Sequence, residues 1–187
     1  MPDRPSSRKP AIDRMVDDLR LLPLRPLVQH WLALYRASGT VPALQDLDAL
    51  HFAPSMRHAW IIDAEADGGF RFRLSGEALI EWYGFSLKGK RYEEVFPTVT
   101  RPSVSESTHR VLQTPAGVYQ SMTARMPDWT DPARYERIGL PLRNSSGRIA
   151  HMLGATLFEK PPAYNGKGSI DTALDTEHWY DIPDLAA

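Results

Sequence analysis

Apolar residues Ile12, Met15, Val16, Leu19 and Leu22 recur at helical spacings, with Asp13, Asp17, Asp18 and Arg20 between them. That spacing predicts a short amphipathic helix stopped at Pro23. A second helix is predicted from Pro26, where proline suits a first turn, through Leu27, Val28, Trp31, Leu34 and Tyr35 to Gly39. Its apolar face is wide. The stretch 40–52 carries Pro42 and alternates leucine with Asp46 and Asp48, so it reads as a connection with one helical turn.

The period then changes to two. An apolar run from Ala59 to Ala64 precedes Asp67-Gly68-Gly69, and Phe70, Phe72 and Leu74 then alternate with Arg71 and Arg73. This predicts a hairpin. Short helices follow over Glu77 to Tyr83, stopped by Gly84, and over Tyr92 to Phe96, stopped by Pro97. A longer one spans Ser103 to Gln113, ahead of Thr114-Pro115. Val118 to Met126 suits a strand, and Tyr135 to Arg143 and Arg148 to Phe158 flank the turn Asn144-Ser145-Ser146-Gly147. Strands separated by a helical block imply an α+β fold with a five-stranded antiparallel sheet, short helices on one face and the N-terminal helices beside it. The expected organisation is a flexible tail over 1–11, a helical extension over 12–39, a domain over 40–160 and a C-terminal tail over 161–187. In that tail Trp179 and Tyr180 could dock on the body.

A chain of 187 residues allows one ordinary core with extensions. A net charge of −1 removes the electrostatic drive of a nucleic-acid binder, so no nucleic-acid partner is expected. The absence of cysteine excludes disulfides, thiolate metal sites, thiol nucleophiles and a cysteinyl-flavin adduct. No apolar run is long enough to span a bilayer and none follows the basic N-terminus as a signal core, so a cytoplasmic protein without membrane contact is expected.

The segment Phe70-Arg-Phe-Arg-Leu-Ser-Gly76, then Trp82-Tyr-Gly84 and Leu87-Lys-Gly89, resembles the strand, short helix and glycine punctuation of PAS domains. Leu140-Pro-Leu142 with Gly147 and Gly154 resembles their closing hairpin. More narrowly, Trp31-Leu-Ala-Leu-Tyr35 with Gly39 and Pro42, the Asp46/Asp48 pair and Phe72 to Gly76 resemble a bacterial PAS-like group that begins with its own helix. The resemblance runs from about Leu27 to Glu159, and the chain departs from that group's pattern at Gln45, Ala49 and Glu77. It implies a five-stranded sheet with a helical flank around a small cavity, used to sense a ligand or to associate with partners. The same scaffold carries haem, flavin, organic acids or nothing, so the cofactor stays open.

In some PAS sensors a histidine on the long helix before the third strand holds haem, and His109 occupies that helix here. The competing and preferred reading makes His109 a surface residue beside Glu106 and Arg110. Arg71, Arg73, Arg125 and Arg137 lie on or beside strands and are candidates to hold a carboxylate or phosphate, against the plainer reading of solvent-facing arginines paired with glutamates. Trp82 and Tyr83 line a pocket or fill the core. Met122, Met126 and Trp129 form a soft apolar group near Pro127. The ligand-binding set is therefore Arg73, Trp82, Tyr83, His109, Arg125 and Met126. Ser105 and His109 lie four apart without an orienting acid, and Glu77-Ala-Leu79 lacks the large metal-binding barrel of the phosphodiesterases that share it, so no enzyme is expected.

Two functions follow from these residues. The first is a free-standing sensory domain that binds a small molecule and signals through its N-terminal helices to a regulatory protein partner. The alternative is a ligand-free dimerisation module. The stripe Ile12, Met15, Val16, Leu19 and Leu22 favours the second and is expected to form a homodimer interface.

Overall fold

The computed structural model describes residues 11–19, 22–96, 98, 101–125, 131–159 and 171–183. One sheet of six antiparallel strands organises them: β1 (Ala59–Ala64), β2 (Phe70–Ser75), β3 (Ala116–Arg125), β4 (Ala133–Arg143), β5 (Ile149–Phe158) and β6 (Asp171–Asp181), in the order β2-β1-β5-β4-β3-β6. Five of these are the expected strands. The sixth corrects the expected strand count and the expected tail over 161–187, because Asp171 to Asp181 pairs with β3 along its whole length. Acidic, mostly exposed β6 has little apolar alternation of its own. Its strand conformation comes from the ladder that β3 offers.

Both faces of the sheet are covered. On one lie a single-turn 3₁₀ segment (Ala11–Arg14), α1 (Met15–Asp18) and α2 (Arg25–Ser38). Pro26 sits in the first turn of α2, and Gly39, at φ 74°, ends the helix with its N–H on the Tyr35 carbonyl at 2.8 Å. The face of α2 formed by Leu27, Val28, Trp31, Leu32 and Tyr35 is buried against Ile138, Leu140 and Leu142 of β4 and Leu153 and Ala155 of β5. The Trp31 indole N–H donates to the Pro141 carbonyl at 2.9 Å, which satisfies the polar end of a buried ring. The connection after α2 holds more helix than the expected single turn, with 3₁₀ segments at Leu44–Asp46 and Ala49–His58.

The stripe expected to form a dimer interface is covered by the chain itself. Ile12 and Met15 are fully buried and Leu19 nearly so, in one cluster with Tyr119, Tyr180 and Ile182. Val16 is half-buried and only Leu22, 67% exposed, remains open to solvent. Helical spacing shows that one face is apolar and does not show what covers it. Here the cover is the chain's own sheet.

The opposite face carries α3 (Glu77–Tyr83), α4 (Tyr92–Val95) and α5 (Arg101–Gln113), packed over Trp60, Ile62, Phe70, Phe72, Val118 and Met152. Gly154 permits this packing. A Cβ there would stand 2.3 Å from the Trp60 ring and 2.4 Å from the Ile138 carbonyl, so the Trp60 indole lies directly across the β5 backbone. Its N–H reaches the Thr156 hydroxyl at 2.9 Å.

Candidate functional site

Between the sheet and α3–α5 lies a cavity of about 120 Å³. Strand alternation builds its floor: Trp60 and Ile62 of β1, Phe72 of β2, Met122 and Ala124 of β3, Tyr135 and Arg137 of β4, and Met152, Thr156 and Phe158 of β5 share one face. Leu79, Trp82 and Tyr83 of α3, Tyr92 of α4 and Val104 and Thr108 of α5 close it from above. Trp82 stacks on Phe158 with ring centres 4.1 Å apart, which holds α3 on β5.

Four polar side chains of the wall are paired within it, Trp60 with Thr156 and Tyr92 with Thr108. The Tyr92 and Thr108 hydroxyls share a hydrogen bond of 3.0 Å, and Thr108 donates to the Val104 carbonyl at 2.9 Å. Burial pushes the Tyr92 hydroxyl up to about 12, against the opposing pull of the Thr108 hydrogen bond and the Arg137 charge. The folded state therefore keeps a proton that the unfolded chain releases near pH 10, so stability is complete below that pH and falls as pH rises towards 12. The loss is about 3 kcal/mol, at about 1.4 kcal/mol for each pH unit between the two values. Tyr92→Phe is expected to remove that share of the alkaline decline, measured as urea midpoints at pH 8.5 and 11.5. Parallel declines in the two proteins would show that Tyr92 does not supply it.

Arg137 is the one charged residue on this wall among the described residues. Its Nε donates to Gln120 Oε1, and Gln120 in turn donates to Glu177 Oε1 of β6 at 2.6 Å and to the Ser107 hydroxyl at 3.3 Å. Arg137 also borders a second chamber of about 220 Å³ whose mixed lining includes Glu106, Arg110, Gln120, Glu177, Leu174 and Trp179. There the Arg110 guanidinium lies over the Trp179 ring at 3.8 Å.

Of the expected ligand-binding residues, Trp82 and Tyr83 line the cavity. Arg73 does not. It is exposed and its Nε binds Asp63 at 2.8 Å, beside a contact of the same length from His151. The signal was present in β2, where Phe70 and Phe72 face the core and alternation sends Arg71 and Arg73 the other way. Arg125 is exposed at the end of β3 and absent from the wall. Met126 lies outside the described residues, as does Trp129.

His109 is half-buried outside the cavity, edge-on to Phe70 at 4.6 Å, with Nδ1 at 2.9 Å from the backbone carbonyl of Ser105. It is therefore not aimed at a ligand in the cavity, and its link to Ser105 bypasses the hydroxyl that a hydrolytic pair would need. The space is also small. Sites for drug-sized ligands occupy roughly 300–1,000 Å³, so this wall does not fit haem. Its volume is nearer the roughly 150 Å³ apolar cavity that accepts benzene. Tyr92, Thr108, Arg137, Trp60 and Phe158 are wall residues outside the ligand set expected from sequence. Among the described residues no three of His, Asp and Glu gather as a metal site, and no helix is long and apolar enough to cross a membrane.

No curated protein sequence matches the chain. Among solved structures, VqmA bound to DPO is 17% identical with a TM-score of 0.43, over 57% of this chain and 53% of that one. The Vibrio cholerae VqmA dimer without target DNA is 16% identical with a TM-score of 0.45, over 63% and 55%. A light-oxygen-voltage domain with a flavin analogue is 14% identical with a TM-score of 0.44, over 60% and 86%. The chain thus spans just over half the length of the two VqmA chains. At these scores the likenesses carry no argument about ligand or output. A family model described as PAS domain matches residues 20–157, about three quarters of the sequence, and the chain belongs to that family.

Proposed function

We propose that the chain is a sensory domain that binds a small molecule in the cavity between its sheet and α3–α5 and passes the change to its N-terminal helices. The observation that carries this reading is a partly open, largely apolar space with a single charged residue among those described, Arg137, on its wall. A packed interaction module would have filled that space with side chains, since interiors normally leave few voids larger than a water. Binding, and not catalysis, suits a wall on which Trp60, Thr156, Tyr92 and Thr108 are already bonded in pairs.

A route for the output supports the same reading. β6 contributes Thr172 to the cavity wall and Glu177 to the hydrogen bonds that hold Arg137 through Gln120. At its other end the Tyr180 hydroxyl donates to Asp18 at 2.8 Å, and the Tyr35 hydroxyl of α2 donates to the Pro183 carbonyl. A ligand that binds one position of Arg137 better than another biases β6 and, through it, the N-terminal helices.

Native mass spectrometry of the protein purified without added ligand tests the proposal. A bound mass that disappears on denaturation is the expected result. A chain that carries no mass and takes up none from a panel of small neutral and acidic compounds would favour the interaction module.

A further inference from the structure

We infer that the ligand is a small monocarboxylic acid, bound as its anion by Arg137 with its apolar body in the inner cavity; this rests on the sensory reading above. Among the described residues the inner wall carries one positive charge and no negative one. Tyr92 and Thr108 bond each other, and Thr156 accepts from Trp60, so these groups are already provided for. Arg137 differs. Its Nε is held by Gln120, while its terminal nitrogens have no hydrogen-bond or carboxylate partner among the described residues. Neither terminal nitrogen is a buried group left without a partner, so both stay accessible to a ligand, and their planar fork matches a carboxylate through two parallel hydrogen bonds.

The surroundings restrict the anion further. Gln120 is tied to Glu177 and Ser107, so the side chain that orients Arg137 is itself fixed. The outer chamber, which shares Ser103, Met122 and Arg137 with the inner one, adds Arg110 but also Glu106 and Glu177. Two acids opposite two arginines disfavour a second negative charge on the ligand. The apolar body must fit about 120 Å³ between Trp60, Phe72, Trp82 and Met152, which suits a single benzene-sized ring or a short branched alkyl group.

Benzoate and benzamide, nearly identical in shape and different in charge, separate the possibilities by titration calorimetry on the whole chain. Benzoate is expected to bind at least tenfold more tightly than benzamide. Arg137→Met is expected to abolish that preference, Arg137→Lys to restore part of it, and Arg73→Met, on the opposite face, to leave it unchanged. Equal affinities in the unaltered protein, a comparison that needs no variant to fold, would overturn the acid assignment. So would a neutral co-purified molecule, and in either case the cavity reading would survive. No heat from either probe, together with a native spectrum free of bound mass, would overturn both.

Discussion

A chain ended after residue 170 is expected to lose most or all of its stability, although the segment removed is acidic and largely exposed. The truncation takes away Tyr180 and Ile182, which are 4% and 8% exposed within the N-terminal core cluster. Deleting buried side chains of these types costs about 2–5 kcal/mol each, against a total of about 5–15 kcal/mol for a typical domain. It also removes the Tyr180 donor from Asp18 and the Pro183 acceptor from Tyr35, and bares the β3 edge from Ala116 to Arg125. An uncovered edge of that length is a template for association. Urea denaturation with size-exclusion chromatography checks this: the truncated chain should aggregate, or unfold at a much lower midpoint. A monomer with the full-length midpoint would show that the last strand is an accessory tail.

The second large effect is expected at Met15. Met15→Asp places a carboxylate at a fully buried position, so close to the β3 backbone that a Cβ added at Gly117 would lie 3.3 Å from the Met15 sulfur. The loss of a packed side chain and the burial of a charge or a protonated acid together are expected to cost about 3–5 kcal/mol. Leu22→Asp, at the exposed end of the same stripe, should change stability by less than about 0.5 kcal/mol. Equilibrium urea curves and sedimentation of both variants distinguish core from interface. A Met15→Asp protein that keeps its midpoint but sediments as a smaller species would identify the stripe as a surface between copies.

Much of the site was legible in parts. Alternation in Phe70-Arg-Phe-Arg already separates the inward phenylalanines from the outward arginines, and helical spacing puts Leu79 and Trp82 on the buried face of α3. Arg137 is different because β4 is apolar on both faces. Tyr135, Arg137 and Gly139 alternate with Ile138, Leu140 and Leu142, so parity groups these residues without saying which group meets the cavity. His109 shows the converse limit: it stands on the helix that a family resemblance points to, one residue from Thr108, which does line the wall. One residue of helix is about 100° of rotation, enough to turn a ring from the cavity to its outside.

The sequence by itself determined the local elements. Glycines at 39 and 84 end helices, Asp67-Gly68-Gly69 and Asn144 to Gly147 turn hairpins, and the hydrophobic period separates helix from strand. These outcomes depend on backbone and side-chain preferences within a few residues. Only the tertiary structure decided that the N-terminal stripe is core, that residues 171–181 are a strand, and that one arginine of four reaches the cavity. Each of these depends on a partner distant in the chain: Tyr180 for the first helical turns, β3 for β6, and Gln120 with Glu177 for Arg137. Burial of a face and pairing of an edge are properties of two surfaces together, and the pattern along either one alone leaves its partner unspecified.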